Sequence, residues 1–378
     1  MYTSKFKRFL CSDKSCFSLS KNVIAAILVT LLFSPIYSVA SESTQTPNEI
    51  TLLTWEDYID EDVVAAFEAE YNAKINFVYY ESDDARNETL TTYGAGGYDL
   101  ILVDSVSVPL YEKLDWIMPF DVHSAPNISN VKLSSLSKLD KAEQACIPYS
   151  WGTTGIAYRK DLVSEPITSW KQIFNPTPEL HGKILMSTLS DEVVGMALKS
   201  LGYSMGSNDR QELKEARQLL LAQAPVVAGY SAVATIADDS KLVSGEVVAV
   251  ITYSGDALML KESEPQIEYV LPEEGGAIWA DFVCLSAKTD NRELAHRFIN
   301  FINKPEQAAK NALFFYSATP NPEAEKLLPA EFLNNSIIYP DKARLAQSER
   351  YETLPPRTIK KHNAIMAELI KVKQIADQ

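Results

Sequence analysis

The sequence is poor in the residues that build metal and cofactor sites. Of its 378 residues, only 4 are histidine and 4 are cysteine. The histidines are scattered, and no cysteine spacing resembles a metal site. The glycines between Gly94 and Gly97 lack the basic and hydroxyl partners of a phosphate-binding loop and predict the end of a helix instead. We therefore expect no metal, no cofactor and no enzymatic activity.

Long hydrophobic runs are missing after the first 40 residues. Before that point, basic residues precede an apolar run from Val23 to Phe33 and the small-residue site Ser38-Val39-Ala40. This pattern predicts a signal peptide over residues 1–40, cleaved near Ala40. An uncleaved anchor is the alternative, but a helix needs about 20 apolar residues to span a bilayer. We expect a mature chain that is exported and carries no lipid, since no cysteine follows the cleavage site directly.

Positive charge is in deficit. The chain has 35 Lys and Arg against 50 Asp and Glu, a formal charge of -15 that becomes -19 without residues 1–40. An acidic surface argues against nucleic acid and anionic lipid as partners. It can steer cations towards a cleft, or it can simply keep an exported protein in solution. Net charge leaves these two interpretations open.

The order of apolar patterns predicts an α/β protein with two lobes, each a mainly parallel sheet flanked by helices. The predicted strands are 50–54, 75–79, 98–103, 183–187, 247–252, 267–271 and 282–286. Helices are predicted after Asp60, from about 84 to 93, from 191, over 293–303 and over about 358–373. We expect residues 49–148 plus 283–322 to form lobe 1, and 149–282 plus 323–378 to form lobe 2. The ligand cleft is then expected at the hinge between them.

Aromatic rings stand beside carboxylates at two predicted strand ends. Trp55-Glu56-Asp57-Tyr58 follows the first strand, and Gly275–Asp281 places Trp279 and Asp281 at the mouth of the strand 282–286. A ring face attracts a cation, and a nearby carboxylate accepts its hydrogen bond. Asp104 and Ser105 follow a third strand, and we see no Arg or Lys at these ends that an anionic ligand would require. The sequence thus predicts a site for a small organic cation with several ammonium groups.

Two cysteines remain after the predicted leader is removed. Cys146 and Cys284 both lie at the predicted hinge. In an oxidising compartment they can form a disulfide, or both can be buried as small apolar side chains. The sequence leaves this choice open.

A set of motifs, in order and spacing, closely resembles the periplasmic spermidine/putrescine-binding proteins of polyamine ABC importers. The likeness runs from about Ile50 to the C-terminus. The motifs are Trp55-Glu56-Asp57-Tyr58, Tyr98-Asp99-Leu100, Ile147-Pro148-Tyr149-Ser150-Trp151-Gly152, Glu192 with Met196-Ala197-Leu198, Leu201-Gly202-Tyr203, Glu274-Gly275-Gly276, Trp279-x-Asp281 and Thr319-Pro320-Asn321. The resemblance implies a two-lobed periplasmic binding protein fold that closes on an extended polyamine.

The resemblance also implies roles for particular residues. It assigns aromatic ligand contacts to Trp55, Tyr58 and Trp279, and amine-binding carboxylates to Asp57, Glu192 and Asp281. Tyr253 stands where one branch of the family has tryptophan, and Asp256 matches an acid of the putrescine-preferring branch. Four positions depart from the family pattern: Val106, Leu189, Ser317 and Tyr351. Asp104 and Asp191 can supply compensating carboxylates or lie on the surface, and the preferred polyamine stays open.

The resemblance implies partners as well. An importer component would be a periplasmic monomer that delivers its polyamine to an inner-membrane ABC permease. The alternative is similarity to the norspermidine-sensing periplasmic protein, which signals through an inner-membrane receptor that controls cyclic-di-GMP and biofilm. Because the two branches share fold and site, the membrane partner decides between them.

Overall fold

The computed structural model describes residues 48–131, 146–231 and 240–378. The predicted signal peptide and its cleavage near Ala40 lie outside these ranges. The strands are β1 (Asn48–Thr54), β2 (Ala73–Tyr79), β3 (Leu100–Asp104), β4 (Ile117–Met118), β5 (Ile147–Arg159), β6 (Ile184–Ser187), β7 (Gly229–Ser231), β8 (Ala249–Tyr253), β9 (Ile267–Val270), β10 (Ala277–Ser286) and β11 (Glu349–Arg350).

Helices lie between and after these strands. They are α1 (Glu61–Tyr71), α2 (Asp83–Tyr93), α3 (Val108–Lys113), α4 (Trp170–Phe174), α5 (Ser190–Ser200), α6 (Arg210–Gln223), α7 (Lys241–Ser244), α8 (Ser254–Ser263), α9 (Arg292–Ile302), α10 (Pro305–Phe314), α11 (Pro322–Glu325), α12 (Ala330–Leu333), α13 (Lys342–Gln347) and α14 (Pro356–Ala376). Within the three described ranges, no helix combines the length and the apolar character that a membrane crossing requires.

The strands form one continuous sheet with the order β2-β1-β3-β10-β5-β8-β6-β7. At one end β1 pairs in parallel with β2 and β3, and at the other end β6 pairs in parallel with β7 and β8. The long strands β5 and β10 run antiparallel to each other between these two arrays. The two parallel β-α-β arrays that the sequence predicts are thereby confirmed, because crossover helices connect parallel neighbours.

Local signals set the limits of the first helices. The Asp60 side chain accepts hydrogen bonds from the backbone N–H groups of Asp62 and Val63 and so caps α1. Ser82 caps α2 in the same way, and Gly94, with a φ of 57°, ends it. The helix end predicted at Gly94 is therefore confirmed.

The core lies on both faces of the sheet. In β1, Leu52 and Leu53 are both fully buried and join different apolar clusters, since successive side chains of a strand point to opposite faces. Phe67 of α1 and Phe298 of α9 cover one face, with ring centres 5.0 Å apart. At the other end of the sheet, α5, α6 and α14 pack a separate cluster. Each parallel array thus has its own core, while the predicted boundaries of the two lobes remain a prediction.

Cys146 and Cys284 are joined by a disulfide bond, with their Cα atoms 4.5 Å apart. Cys146 directly precedes β5, and Cys284 lies in β10. The bond closes a separation of 138 residues between the two long antiparallel strands. Of the two alternatives that the sequence leaves open, the structure contains the bonded pair.

Candidate ligand-binding site

A tyrosine and a carboxylate meet where the loop after β1 reaches the two long strands. The Tyr58 hydroxyl donates a hydrogen bond to Asp281 Oδ2 and lies 3.2 Å from Ser150 Oγ. Asp281 and Ser150 face each other across β10 and β5. The pairing of these strands therefore brings together three side chains that are far apart in sequence.

Aromatic rings surround this group. The Tyr58 ring stacks on Phe315 with centres 4.8 Å apart, and the Tyr149 ring lies 5.9 Å away. The Tyr149 hydroxyl donates to the backbone carbonyl oxygen of Tyr58 at 2.8 Å. These contacts hold the Tyr58 ring in place beside Asp281.

Burial raises the pKa of Asp281 to about 7. The negative charges of Asp104 and Asp83 raise this pKa further, whereas the hydrogen bond from Tyr58 and the charge of Arg86 lower it. Asp281 forms none of the ion pairs found between described residues. This partly buried carboxyl group thus has no ion-pair partner among the described residues.

Glu192 is a second carboxyl group with a raised pKa. It lies in the first turn of α5 and is 5% exposed. Burial raises its pKa to about 7, the nearby charge of Asp256 contributes to the increase, and the neighbouring hydroxyl groups of Ser187 and Tyr351 oppose it. Tyr351, predicted only as a departure from the family pattern, therefore lies near one of the predicted carboxylates.

Asp256 is the third such group, in the first turn of α8. Burial raises its pKa to about 7, and the nearby Thr252 hydroxyl opposes this increase. The end of β8 carries Tyr253, whose ring is 37% exposed and meets the Trp279 ring edge-on, with centres 6.2 Å apart. Asp256, Tyr253 and Trp279 are thus near one another, where β8 and β10 flank β5.

The placement of Trp279 at the mouth of a strand over 282–286 was wrong. The strand begins at Ala277, so Trp279 and Asp281 lie within it, two positions apart and on the same face. Trp279 is opposite Gly152 of β5. A Cβ atom on Gly152 would lie 2.4 Å from Cζ2 of the Trp279 ring. Pairing with β5 extends the strand, and the missing side chain of Gly152 makes room for the indole.

The ligand contacts predicted after β1 differ in their exposure to solvent. Trp55 is partly buried, and its ring centre lies 4.5 Å from that of Tyr80. Asp57 is exposed, with a positive φ of 53°. Its carboxylate joins none of the hydrogen bonds or ion pairs between described residues. The structure brings Tyr58 to Asp281 but leaves Asp57 at the surface.

Asp104 is already paired with a protein cation. Its Oδ2 atom accepts hydrogen bonds from Arg86 Nη2 at 2.5 Å and from Ser107 Oγ at 2.7 Å, and Oδ1 accepts the backbone N–H of Val106 at 2.8 Å. The neighbouring Ser105 is buried and donates its backbone N–H to Ala280. The strand-end segments themselves contain no Arg or Lys, but Arg86 of a neighbouring helix reaches Asp104. Arg86 comes from near the N-terminus of α2, where sequence spacing alone does not indicate it.

Several residues of this region were missed by sequence reasoning. Tyr149 and Ser150 belong to a quoted motif that could have indicated them, whereas Phe315 and Arg86 carry no such signal. Asp191, left open between ligand contact and surface, hydrogen-bonds to the fully buried His362 at 2.7 Å. Tertiary packing decides all of these contacts.

The chemistry of the site suits a cation. Three carboxyl groups with raised pKa values, Glu192 buried and Asp256 and Asp281 partly buried, stand among aromatic rings, and no ion pair between described residues neutralises them. The described ranges contain no group of three or more His, Cys, Asp or Glu side chains that could hold a metal ion. An organic cation can satisfy such carboxylates by charge-assisted hydrogen bonds while its methylene groups contact the rings. Fold and site together define a solute-binding protein.

The family comparison agrees with this class. The profile of bacterial extracellular solute-binding proteins matches residues 62–338, so the chain belongs to that family. Its members bind solutes and are not enzymes, which confirms the expectation drawn from the missing catalytic groups.

Individual relatives are also similar. The chain is 31% identical over 306 residues to the spermidine/putrescine-binding periplasmic protein of Escherichia coli (strain K12), which covers 80% of this chain and 86% of the relative. It is 29% identical over 305 residues to the norspermidine sensor of Vibrio cholerae serotype O1, covering 79% and 82%. It is 28% identical over 346 residues to the putrescine-binding periplasmic protein SpuD of Pseudomonas aeruginosa, covering 85% and 92%.

A solved structure supports the fold directly. The spermidine/putrescine ABC transporter substrate-binding protein PotD of Streptococcus pneumoniae superimposes with a TM-score of 0.77 at 27% identity, covering 86% of this chain and 99% of that chain. The predicted two-lobed periplasmic binding protein fold is confirmed, with a curled sheet flanked by helices.

Proposed function

We propose that this protein binds a linear polyamine of the putrescine or spermidine type and delivers it to an inner-membrane ABC importer. One observation carries the proposal: Glu192 is buried, Asp281 and Asp256 are partly buried, and the pKa values of all three carboxyl groups are raised to about 7. No ion pair between described residues neutralises them. A ligand with ammonium groups supplies the missing positive charge.

Ring contacts support an extended alkyl amine over a compact cation. Tyr58 stands beside Asp281, and the paired rings of Tyr253 and Trp279 stand near Asp256. A polyamine alternates charged and apolar segments, so its ammonium groups can meet carboxylates while its methylene groups lie against rings. Inorganic cations offer no apolar segment for such contacts.

We propose the predicted site without Asp104, whose carboxylate is paired with Arg86. The remaining members differ in support. Tyr58, Ser105, Tyr253, Trp279 and Trp55 surround or adjoin the carboxylates. Asp57 is exposed in this structure, and we propose that it contacts the ligand only if the two lobes close upon it. The proposed lobes remain 49–148 plus 283–322 and 149–282 plus 323–378. Closure by hinge motion would then bring carboxylates of both lobes to one ligand.

The cellular setting follows from the same proposal. We propose a periplasmic monomer, secreted with a signal peptide that is cleaved near Ala40, with an ABC permease as membrane partner and no nucleic acid partner. The names of the relatives from Escherichia coli and Streptococcus pneumoniae, which are spermidine/putrescine-binding proteins, support this setting.

Calorimetry on the mature chain tests the proposal. Putrescine and spermidine should bind to the wild type, whereas Asp281→Asn and Trp279→Ala should each weaken binding at least about tenfold, because each removes a direct contact. Glu306→Gln is the matched control, since it also removes one negative charge but lies exposed on α10. Unchanged affinity in both site variants, or equal loss in the control, would contradict the site assignment.

A sensory role is the second candidate. The similarity to the norspermidine sensor of Vibrio cholerae supports it. In this role the liganded protein would dock on an inner-membrane receptor that controls cyclic-di-GMP and biofilm. Uptake of labelled putrescine by cells with and without the gene separates the two roles. Uptake that depends on the gene supports import, whereas unchanged uptake with altered biofilm supports sensing.

A further inference from the structure

A buried guanidinium adjoins the candidate site but has no part in the function proposed above. Arg86 lies in α2 and is fully buried. Its Nη2 atom is 2.5 Å from Asp104 Oδ2 and 2.8 Å from Ser107 Oγ, and its Nη1 atom is 2.8 Å from Asp83 Oδ1. Two carboxylates thus neutralise this one side chain.

Two tyrosine rings enclose the same group. The Arg86 guanidinium carbon lies 5.3 Å from the ring centre of Tyr80 and 5.6 Å from that of Tyr111. Arg86 Nε also donates to the Tyr111 hydroxyl at 2.8 Å. Carboxylates and ring faces around a cation are what the proposed function assigns to a ligand ammonium. In this part of the protein, the Arg86 side chain occupies a site of that kind.

The site that Arg86 occupies is next to Asp281. Asp104 of β3 faces Asp281 of β10 directly in the antiparallel register, so the two side chains are neighbours on one face of the sheet. Tyr80 in turn contacts Trp55. Asp104 is paired with Arg86, whereas Asp281 forms no ion pair between described residues. Of two adjacent carboxylates, only one is left for a ligand.

We propose that Arg86 is a resident cation that fills one ammonium subsite of the cleft and so favours diamines over polyamines with more ammonium groups. The inference rests on the proposed function, because it concerns which ligand that site prefers. Arg86 acts as a specificity-determining residue, since it removes Asp104 and Asp83 from the set of carboxylates that a ligand can use. Without its side chain, the space between Tyr80 and Tyr111 and both carboxylates become free for another ammonium.

The test compares spermidine with putrescine by calorimetry. In R86A the affinity for spermidine relative to putrescine should rise at least about tenfold, the effect of one additional charge-assisted hydrogen bond. The double variant R86A/D104N should lose most of this gain, because it removes the released carboxylate. R86K, which keeps a cation between the two rings, should retain the wild-type ratio. If R86A does not fold, R86Q makes the same comparison with a neutral side chain of similar length.

A second measurement does not depend on polyamine binding. Methylguanidinium should raise the melting temperature of R86A, but not of the wild type, relative to sodium chloride at equal ionic strength. A spermidine-to-putrescine ratio that is unchanged in R86A, or that rises equally in R86K, would overturn the inference. If the wild type binds neither amine, the proposed function fails, and the methylguanidinium effect still decides whether the space is a cation site.

Discussion

Binding of a polyamine should release protons, and affinity should rise steeply with pH up to about 7. The pKa values of Asp281, Glu192 and Asp256 are each raised to about 7, in each case mainly by burial. A ligand ammonium favours the ionised carboxylate, so carboxyl groups that are protonated in the free protein must lose their protons on binding. Aliphatic amines, with pKa values near about 10, stay protonated across this range.

The size of the effect follows from these pKa values. A carboxyl group with a pKa of about 7 is about 90% ionised at about pH 8 and about 3% ionised at about pH 5.5. If binding requires one such group in ionised form, affinity falls about 30-fold over this interval. If it requires two or three, the fall is correspondingly larger. Above about pH 8 the affinity should level off.

The groups that face Asp281 fix the sign of its contribution. Asp104 on β3 and Asp83 on α2 favour its protonated form, while Tyr58 and Arg86 favour the ionised form. Burial outweighs the latter two, so the net pKa is raised. Asp281→Asn should therefore weaken binding at about pH 8 and also flatten the pH profile, because one titrating group is lost. Glu306→Gln, which changes an exposed acid, should keep the wild-type profile.

Isothermal titration calorimetry gives both quantities. Affinity is measured across the interval, and repetition in buffers of different ionisation enthalpy gives the number of protons released. We expect the release of about one proton or more per ligand near about pH 7. A flat affinity profile together with no proton release would refute the reasoning, since it would mean that the carboxyl groups are ionised before the ligand arrives.

Three further predictions follow from the structure. Asp256→Asn should stabilise the ligand-free protein at about pH 7.5, by at most about 4 kcal/mol, but not at about pH 4. The reason is that a carboxyl group with a raised pKa destabilises the fold as pH rises from about 4 to about 7. Equal melting temperatures of variant and wild type at about pH 7.5 would contradict this prediction. Gly152→Ala should displace the Trp279 ring and weaken polyamine binding at least about tenfold, whereas Gly206→Ala, where a Cβ would lie 3.7 Å from its nearest neighbour, should not. Replacing both cysteines of the disulfide by alanine should lower the free energy of unfolding by about 2–4 kcal/mol in denaturant titration, and an unchanged midpoint would show that the bond contributes nothing.

Much of the fold could be predicted because it depends on local patterns. Asp60 and Ser82 supply helix caps that are visible in the sequence, and the spacing of Val63, Phe67 and Tyr71 indicates the face of α1. The strand around Trp279 could not be delimited in the same way. Glycines and a carboxylate interrupt its apolar pattern, and only pairing with β5 shows that it begins at Ala277.

The candidate site shows the same division. Rings beside carboxylates indicated Tyr58, Trp279 and Asp281 in the sequence. The family resemblance pointed to the same residues and also to Glu192 and Asp256. It did not indicate that Asp104 is paired or that Arg86 pairs with it. An arginine in a polar helix is expected to be exposed, and only the packing of α2 against β3 and α3 buries this one.

The sequence by itself determined the α/β alternation, the acidic character and the residue types suited to an organic cation, because these depend on composition and short-range periodicity. Only the tertiary structure decided which carboxyl groups are buried, which one already has a cation, and which cysteines are bonded. The physical reason is that desolvation and charge pairing depend on distances between residues far apart in the chain, and those distances exist only once the long strands β5 and β10 have paired.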